Sequence, residues 1–272
     1  MADKISSVVI PHDGSELSGR IAKAAGSVLG SGCKITMVHV ATSEADDDSE
    51  IEATASRLES EGLAVAQHSE AAPDAASALL DYIGSNRPDL VMMTTHGRSG
   101  TGQFTRGSVA ERVMRECPSP LMMVDPTEEA NMPPRRVLVP LDASDNAAEV
   151  IPPLLGLIDS GDTKVTLLFV DFDDPTDTDE LRSKRREQRQ ADVAEWFRGP
   201  FDQLTTAGAD VEVRVEHGNA AEVILRVANE PQYDLLAMTT HGRSGIARWA
   251  FGSVADKVLS ACSKPVLLKR IK

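Results

Sequence analysis

Aromatic side chains are scarce in this chain of 272 residues, at 4%, so its core must be aliphatic, built from Val, Leu, Ile, Ala and Met. Long buried runs of that kind suit parallel strands covered by helices. Cysteine is almost as sparse: Cys33, Cys117 and Cys262 are odd in number, widely spaced and form no CxxC pair. They supply neither a zinc site nor a disulfide framework, and read as small buried hydrophobes in a reducing compartment. No run approaches the roughly eighteen apolar residues of a membrane span. The opening MADKISSVVI also lacks the charged start and apolar stretch of a signal peptide, so a cytoplasmic location is the expectation. Basic charge is short too. The net charge of −14 excludes a general affinity for nucleic acid or membrane surfaces, whose phosphates it would repel.

Several catalytic signatures are missing as well. No GxxxxGK[ST] occurs, no GxGxxG follows the first apolar run, and HExxH, GxSxG and the kinase motif set are absent. Asp46-Asp47-Asp48 lacks the glycine and terminal glutamate of a calcium loop and reads as a solvated segment. Neither catalytic residues nor metal ligands are therefore assigned.

What is present is ordinary globular composition, 41% hydrophobic and 26% charged, in a length that fits one large domain or two smaller ones. An internal repeat decides between them. MTTHGRSG occurs at Met93–Gly100 and again at Met238–Gly245, each followed after six residues by GSVA, at Gly107–Ala110 and Gly252–Ala255. Both blocks recur at an offset of 145 residues. Around them, Val8–Ser15 (VVIPHDGS) answers Val137–Ser144 (VLVPLDAS), and Ile35–Val40 answers Val165–Val170. The final apolar runs, Leu121–Val124 and Val266–Lys269, correspond in the same way. About sixteen extra residues in the second half fall between Asp171 and Gly199, where an acidic stretch runs into the basic Arg182–Arg189. That segment reads as a solvated helix face with Trp196 and Phe197 packing inward. The Pro-rich Pro126–Arg135 reads as a linker, giving domains at 1–125 and 136–272.

Within each half, apolar runs alternate with helix-length segments. In the first half the strands are expected at Ser6–Pro11, Ile35–Val40, Ala64–His68, Leu90–Thr94 and Leu121–Val124. Helices are expected near Glu16–Leu29, Glu50–Glu61, Ala72–Ser85 and Ser108–Cys117, the last with Val109, Val113 and Met114 on one face. The fold class is α/β: two tandem doubly wound domains, each a five-stranded parallel sheet with helices on both faces. Pro152-Pro153 should delay or kink the first helix of the second half.

Ligands of such sheets bind beyond the carboxyl ends of the strands, where strand order reverses. Pro11 and Asp13 close the first strand, Val40 closes the second, and the loop from Thr94 to Gly107 follows the fourth. Glycines in that loop allow successive N–H groups to converge on one anion, and the helix beginning at Ser108 adds its unpaired N–H groups. Arg98 and Arg106 can add charge. Other readings stand beside this one. Ser108 and Ser253 each begin a capping-box pattern (Ser108–Glu111, Ser253–Asp256). His96 and His241 suit either loop-stabilising hydrogen bonds or ligand contact. His39, replaced by Phe169 in the second half, reads as a core or interface residue.

These motifs resemble the universal stress protein family in its tandem form, over essentially the whole chain. The family signature, Gly-x-x-Gly, nine residues, Gly-Ser/Thr, is met from its second glycine onward by Gly97 with Gly107-Ser108, and by Gly242 with Gly252-Ser253. Thr94 and Thr239 replace its first glycine, and Ala143 stands where the first half has Gly14. The resemblance implies a Rossmann-like, HUP-type fold that binds ATP or AMP, with Mg2+ as the accompanying ion, and turns over little or none of it. It implies that Asp13 and Asp142 sit at the adenosine end, beside Pro11 and Pro140, and that Val40 and Val170 offer backbone groups to adenine. Gly97, Arg98, Gly107, Ser108 and Val109 would cradle the phosphates, mirrored by Gly242, Arg243, Gly252, Ser253 and Val254. It implies pairing of the two halves through their final strands, with homodimerisation and an unidentified regulatory protein as further partners. The expected function is a nucleotide-sensing stress-response regulator. The alternatives are a slow ATPase or autophosphorylating switch, and a protein-interaction scaffold with vestigial sites.

Overall fold

Val8-Val9-Ile10 and Val137-Leu138-Val139 are each no more than 3% exposed, and only a strand covered on both faces can bury consecutive residues in this way. A computed structural model describes residues 4–15, 18–21, 25, 32–42, 49–94, 108–124, 133–172, 179–241 and 252–271. Two compact units emerge: Asp3–Pro133 with Pro265–Arg270, and Pro134–Lys264 with Met1–Ala2 and Ile271–Lys272. No described helix is long and apolar enough to cross a membrane.

The first unit contains β1 (Ser7–Pro11), β2 (Lys34–Ala41), β3 (Ala64–Ala71), β4 (Leu90–Thr94) and β5 (Leu121–Val124). They pair in parallel in the order β3-β2-β1-β4-β5, so strand order reverses between β1 and β4. Its described helices are α1 (Ser49–Ser60), α2 (Ala75–Asn86) and α3 (Ser108–Glu116). The chain is also helical at 18–21 and 25, inside the helix expected at Glu16–Leu29, whose other residues lie outside the described ones. Ala76, Leu79 and Ile83 form the buried stripe of α2, at helical spacing. In α3 the buried face is Ala110, Val113 and Met114, whereas Val109, expected on that face, is half-buried and turns to the cavity described below.

The second unit repeats the arrangement with β6 (Arg136–Pro140), β7 (Lys164–Asp171), β8 (Asp210–His217) and β9 (Leu235–Thr239), in the parallel order β8-β7-β6-β9. The fifth strand of the second copy, β10 (Val266–Lys269), belongs to the first unit. There it runs antiparallel to β5, with Val266 opposite Met123 and Leu268 opposite Leu121. The linker expected at 126–135 lies outside the described residues up to 132.

Pro152-Pro153 splits the first helix of the second copy. α4 (Asp145–Ala148), capped by the Ser144 hydroxyl accepting from the Ala147 N–H at 3.2 Å, gives way to α5 (Ile151–Leu155). Both prolines sit in the first turn of α5, where N–H groups have no helical acceptor to lose. The insertion forms α6 (Asp179–Trp196), followed by α7 (Arg198–Thr206), and the unit is completed by α8 (Ala220–Ala228) and α9 (Ser253–Ala261). Phe197 packs inward as expected, at 1% exposure, edge-on to Phe169 at 6.2 Å. Trp196 corrects the same expectation: it is 39% exposed, although its indole lies 5.7 Å from the Phe169 ring. Side chains 181–186 of the basic stretch lie outside the described residues. Its last residue, Arg189, lies 5.9 Å from the Phe169 ring and 5.5 Å from the Trp196 ring, and its Nε meets Asp171 Oδ2 at 3.1 Å.

Two thiols behave as the composition predicts. Burial pushes Cys33 and Cys117 up to about 11, which keeps both unreactive. Cys262 is only half-buried.

Each copy also ties the start of its first strand to its fourth through one carboxylate. Asp89 Oδ2 accepts from the Ser6 and Ser7 backbone N–H groups at 2.9 and 3.0 Å, and from their hydroxyls at 2.7 and 3.0 Å. Asp234 Oδ2 accepts from the Arg135 and Arg136 N–H groups at 3.1 and 3.0 Å. Burial alone would raise the Asp89 carboxyl, but the hydrogen bonds from Ser6 and Ser7 outweigh it and hold the group below the usual carboxylate range. A depressed folded value stabilises the protein above the ordinary carboxylate pKa, and that contribution is lost as pH falls through the folded value. Asp89→Asn is therefore expected to cost about 1 kcal/mol at neutral pH. Thermal melts of variant and wild type should converge under acid conditions; a constant gap down the acid limb would contradict this role.

Candidate functional site

A cavity of about 260 Å3 opens at the carboxyl ends of β1, β2 and β4. The order of assembly is plain in the backbone. His12 N–H donates to the Val38 carbonyl at 2.8 Å, carrying the β1–β2 ladder one residue past β1. The chain then turns at Gly14, where φ is +76°, a left-handed conformation that glycine adopts without cost. Asp13 closes the turn: its Oδ1 accepts from the Ser15 N–H at 3.1 Å, the Ser15 hydroxyl at 2.5 Å and the Ser18 hydroxyl at 3.0 Å. Pro11 and Asp13 form one wall of the cavity with Val38 and Val40 of β2, two residues apart and so on one face. Thr94, Ser108 and Val109 close the side toward β4, and Ala75 and Leu79 of α2 form the apolar wall between.

The second copy builds a cavity of about 290 Å3 from the matching places. Leu141 N–H donates to the Leu168 carbonyl at 2.9 Å, and Asp142 Oδ1 accepts from the Ser144 N–H at 3.0 Å and hydroxyl at 2.5 Å. Ala143 turns the chain at φ +63°, the conformation of Gly14 imposed on a residue with a Cβ, at a cost of about 1 kcal/mol. Ala147 stands where Ser18 stands in the first copy, so the hydroxyl that Ser18 gives to Asp13 has no counterpart at that place. Pro140 and Asp142 form the wall with Leu168, Phe169 and Val170, opposite Ala220 and Ile224 of α8.

Beyond β9, the ends of the loop are anchored. Thr239 donates its hydroxyl to the His241 carbonyl at 2.8 Å, which accommodates the side chain that replaces the signature glycine. The Thr240 hydroxyl and His241 Nδ1 lie 3.0 Å apart, and Gly252 N–H donates to the Thr240 carbonyl at 2.9 Å. The His241 ring is held at Thr240, in keeping with the loop-stabilising description, and the residue lines the cavity. The capping-box reading of Ser253 is corrected. Gly252 is the N-cap of α9, no side chain caps the helix, and Ser253 opens its first turn. The initial N–H groups of α9 have no helical acceptors, and together with the positive end of the helix dipole they make a place for an anion. Ser253, Val254 and Gly252 all reach the cavity.

Of the residues expected from the sequence, the structure therefore gathers Pro11, Asp13, Val40, Thr94, Ser108 and Val109 in one cavity. It gathers Pro140, Asp142, Val170, Thr239, His241, Gly252, Ser253 and Val254 in the other. His96, Gly97, Arg98, Arg106, Gly107, Gly242 and Arg243 lie outside the described residues. The apolar walls were missed: Ala75 and Leu79 in one cavity, Ala220 and Ile224 in the other. In the first copy an ion pair joins the two helices beside the cavity. Asp74, the N-cap of α2, accepts from the Ser77 hydroxyl at 2.6 Å and binds Arg112 of α3, and these bonds hold its carboxyl below the usual range. Asn219 and Lys257 occupy the corresponding places in the second copy. Among the described residues no three His, Cys, Asp or Glu side chains group as a metal site.

The model of the universal stress protein family matches the chain twice, at residues 4–125 and again at 133–270. The chain belongs to this family. The universal stress protein Slr1230 of Synechocystis is 28% identical over 196 residues, which is 71% of this chain and 62% of that protein. The match thus spans less than two thirds of that relative's length. In fold, a universal stress protein from Archaeoglobus fulgidus superposes with a TM-score of 0.65 at 18% identity, covering 98% of this chain and 97% of that one. A universal stress protein solved in complex with cAMP matches 46% of this chain and all of its own length, at 20% identity and a TM-score of 0.39.

Proposed function

We propose that this tandem universal stress protein is a cytoplasmic stress-response regulator that binds one adenine nucleotide, ATP or AMP, in each cleft and hydrolyses little or none of it. The observation that carries the reading is the coincidence, in both cavities, of three features: a carboxylate after the first strand, an apolar slot, and an uncapped or serine-led helix start. Asp13 and Asp142 accept from the ribose hydroxyls. The backbone at Val40 and Val170 meets the edge of the base, and the slot takes its faces. The phosphates lie at the first turns of α3 and α9. The cavities, at about 260 and 290 Å3, are sized for a nucleoside, so the phosphates extend to the helix starts at Ser108 and Ser253. Magnesium would arrive on the phosphates rather than on protein ligands. Domains 1–125 and 136–272, joined through 126–135, each carry one site.

Equilibrium dialysis of the full chain against ATP is expected to show two bound equivalents. No uptake at millimolar ATP would overturn the proposal in favour of a scaffold with vestigial sites. Steady ADP release that Gly252→Val reduces would instead make the protein an ATPase.

A further inference from the structure

Phe172 is 76% exposed, more than any other large apolar side chain among the described residues, in a chain that has only six phenylalanines. Its place gives that exposure a use. Leu168 and Val170 of β7 line the second cavity, and Phe172 is the next residue in the same alternating row, just past the strand's carboxyl end. Its backbone is held firmly. Asp171 Oδ1 accepts the Phe172 N–H at 3.1 Å, Asp171 Oδ2 meets Arg189 Nε at 3.1 Å, and the Asp171 carbonyl accepts the Gly218 N–H at 3.0 Å. Arg189 comes from α6, the helix of the insertion, and lies against Phe169 and Trp196. The first copy keeps the backbone bond, its Ala41 carbonyl accepting the Ala72 N–H at 3.0 Å, but Ala41 has no carboxylate to match Asp171 and the corresponding row ends Val38, Val40, Thr42.

We infer that Phe172 is a stacking wall for a planar purine base at the mouth of the second cleft, and that the two clefts are consequently unequal in base affinity. The inference rests on the nucleotide reading above and deepens it. An aromatic ring at the rim covers one face of any base whose edge lies along Val170, and only the side chain has to be ordered because the backbone is already pinned. The insertion then has a role at the site: Arg189 positions Asp171, and Asp171 positions the rim.

The test is calorimetric titration of the full chain with ATP, AMP and tripolyphosphate. Wild type should show a tighter and a weaker site for ATP. Phe172→Ala should weaken the tighter one about tenfold, Phe172→Trp should preserve it, and Thr42→Phe should tighten the other. Tripolyphosphate, which has no base, should bind equally to wild type and Phe172→Ala. In a Gly252→Val background, Phe172→Ala should leave the first cleft's affinity unchanged. ATP binding at two sites that Phe172→Ala leaves unchanged would overturn the stacking wall alone, as would an equal loss for tripolyphosphate. Absence of ATP binding to the wild type would overturn the nucleotide reading and the stacking wall together.

Discussion

Gly252→Val is expected to weaken nucleotide binding at the second cleft between about ten- and a hundredfold, and to leave the first cleft's affinity unchanged. A Cβ at Gly252 would lie 3.3 Å from the Thr240 carbonyl oxygen and 3.7 Å from His241 Cα. The same carbonyl already accepts the Gly252 N–H at 2.9 Å, so both groups are fixed at one end of the loop. The added methyls of valine have to displace Thr240 and His241 or tilt the start of α9. Either movement carries the first-turn N–H groups away from the phosphates, where a shift of about 1 Å is enough to matter. Dialysis should then fall from two bound equivalents to one at moderate ATP, with circular dichroism unchanged. Gly252→Ala should show a smaller loss in the same direction. Retention of both equivalents by Gly252→Val would remove α9 from the site.

Phe197→Ala should destabilise the second unit by about 3–5 kcal/mol, a large part of the 5–15 kcal/mol that holds a typical domain together. Phe197 is 1% exposed at the junction of the inserted helix α6 with α7. Its N–H donates to Val193 and its carbonyl accepts from Phe201, at 2.9 and 2.8 Å, while its ring meets Phe169 of β7. Removing the ring leaves a void under the strand that carries Leu168 and Val170 to the cavity, and neighbours fixed by two helix ends have little freedom to collapse into it. Hydrogen exchange read by mass spectrometry should show lost protection in β7 and β8 and retained protection in β1 and β2. A loss of stability under about 1 kcal/mol would mean that the ring contributes no more than a surface residue.

The repeat, the parallel sheets and the strand-end aspartates were legible because each rests on a local signal: identical blocks, continuous apolar runs, and an acid just beyond them. β4 and β5 fall at the residues expected, Leu90–Thr94 and Leu121–Val124. β3 extends to Ala71, three residues beyond its expected end, since an edge strand with Ser69 and Glu70 half in solvent shows no apolar alternation there. The division at Pro152-Pro153 was legible as an interruption, but α4 before it depends on the Ser144 cap. Val109 shares a face with Val113 and Met114 by periodicity, which registers an apolar face without telling a core from a ligand slot. Ala75, Leu79, Ala220 and Ile224 were beyond reach for a different reason. They line the cavities only because the crossover returns α2 and α8 over the strand ends, a matter of topology rather than of local pattern.

The placement of β10 has a consequence for biosynthesis. The edge of β5 is covered by residues 266–269, close to the end of the chain, although everything else in that unit is made before residue 134. At roughly 5–20 residues per second, a ribosome needs some seconds to deliver the missing strand after β5 emerges. Through that interval the nascent first unit presents the open edge of Leu121-Met122-Met123-Val124, an uncharged run of the kind that pairs with stray strands. The first half to be translated is therefore the last to be completed. Its vulnerability to misassembly during synthesis depends on how soon residues 266–269 reach it.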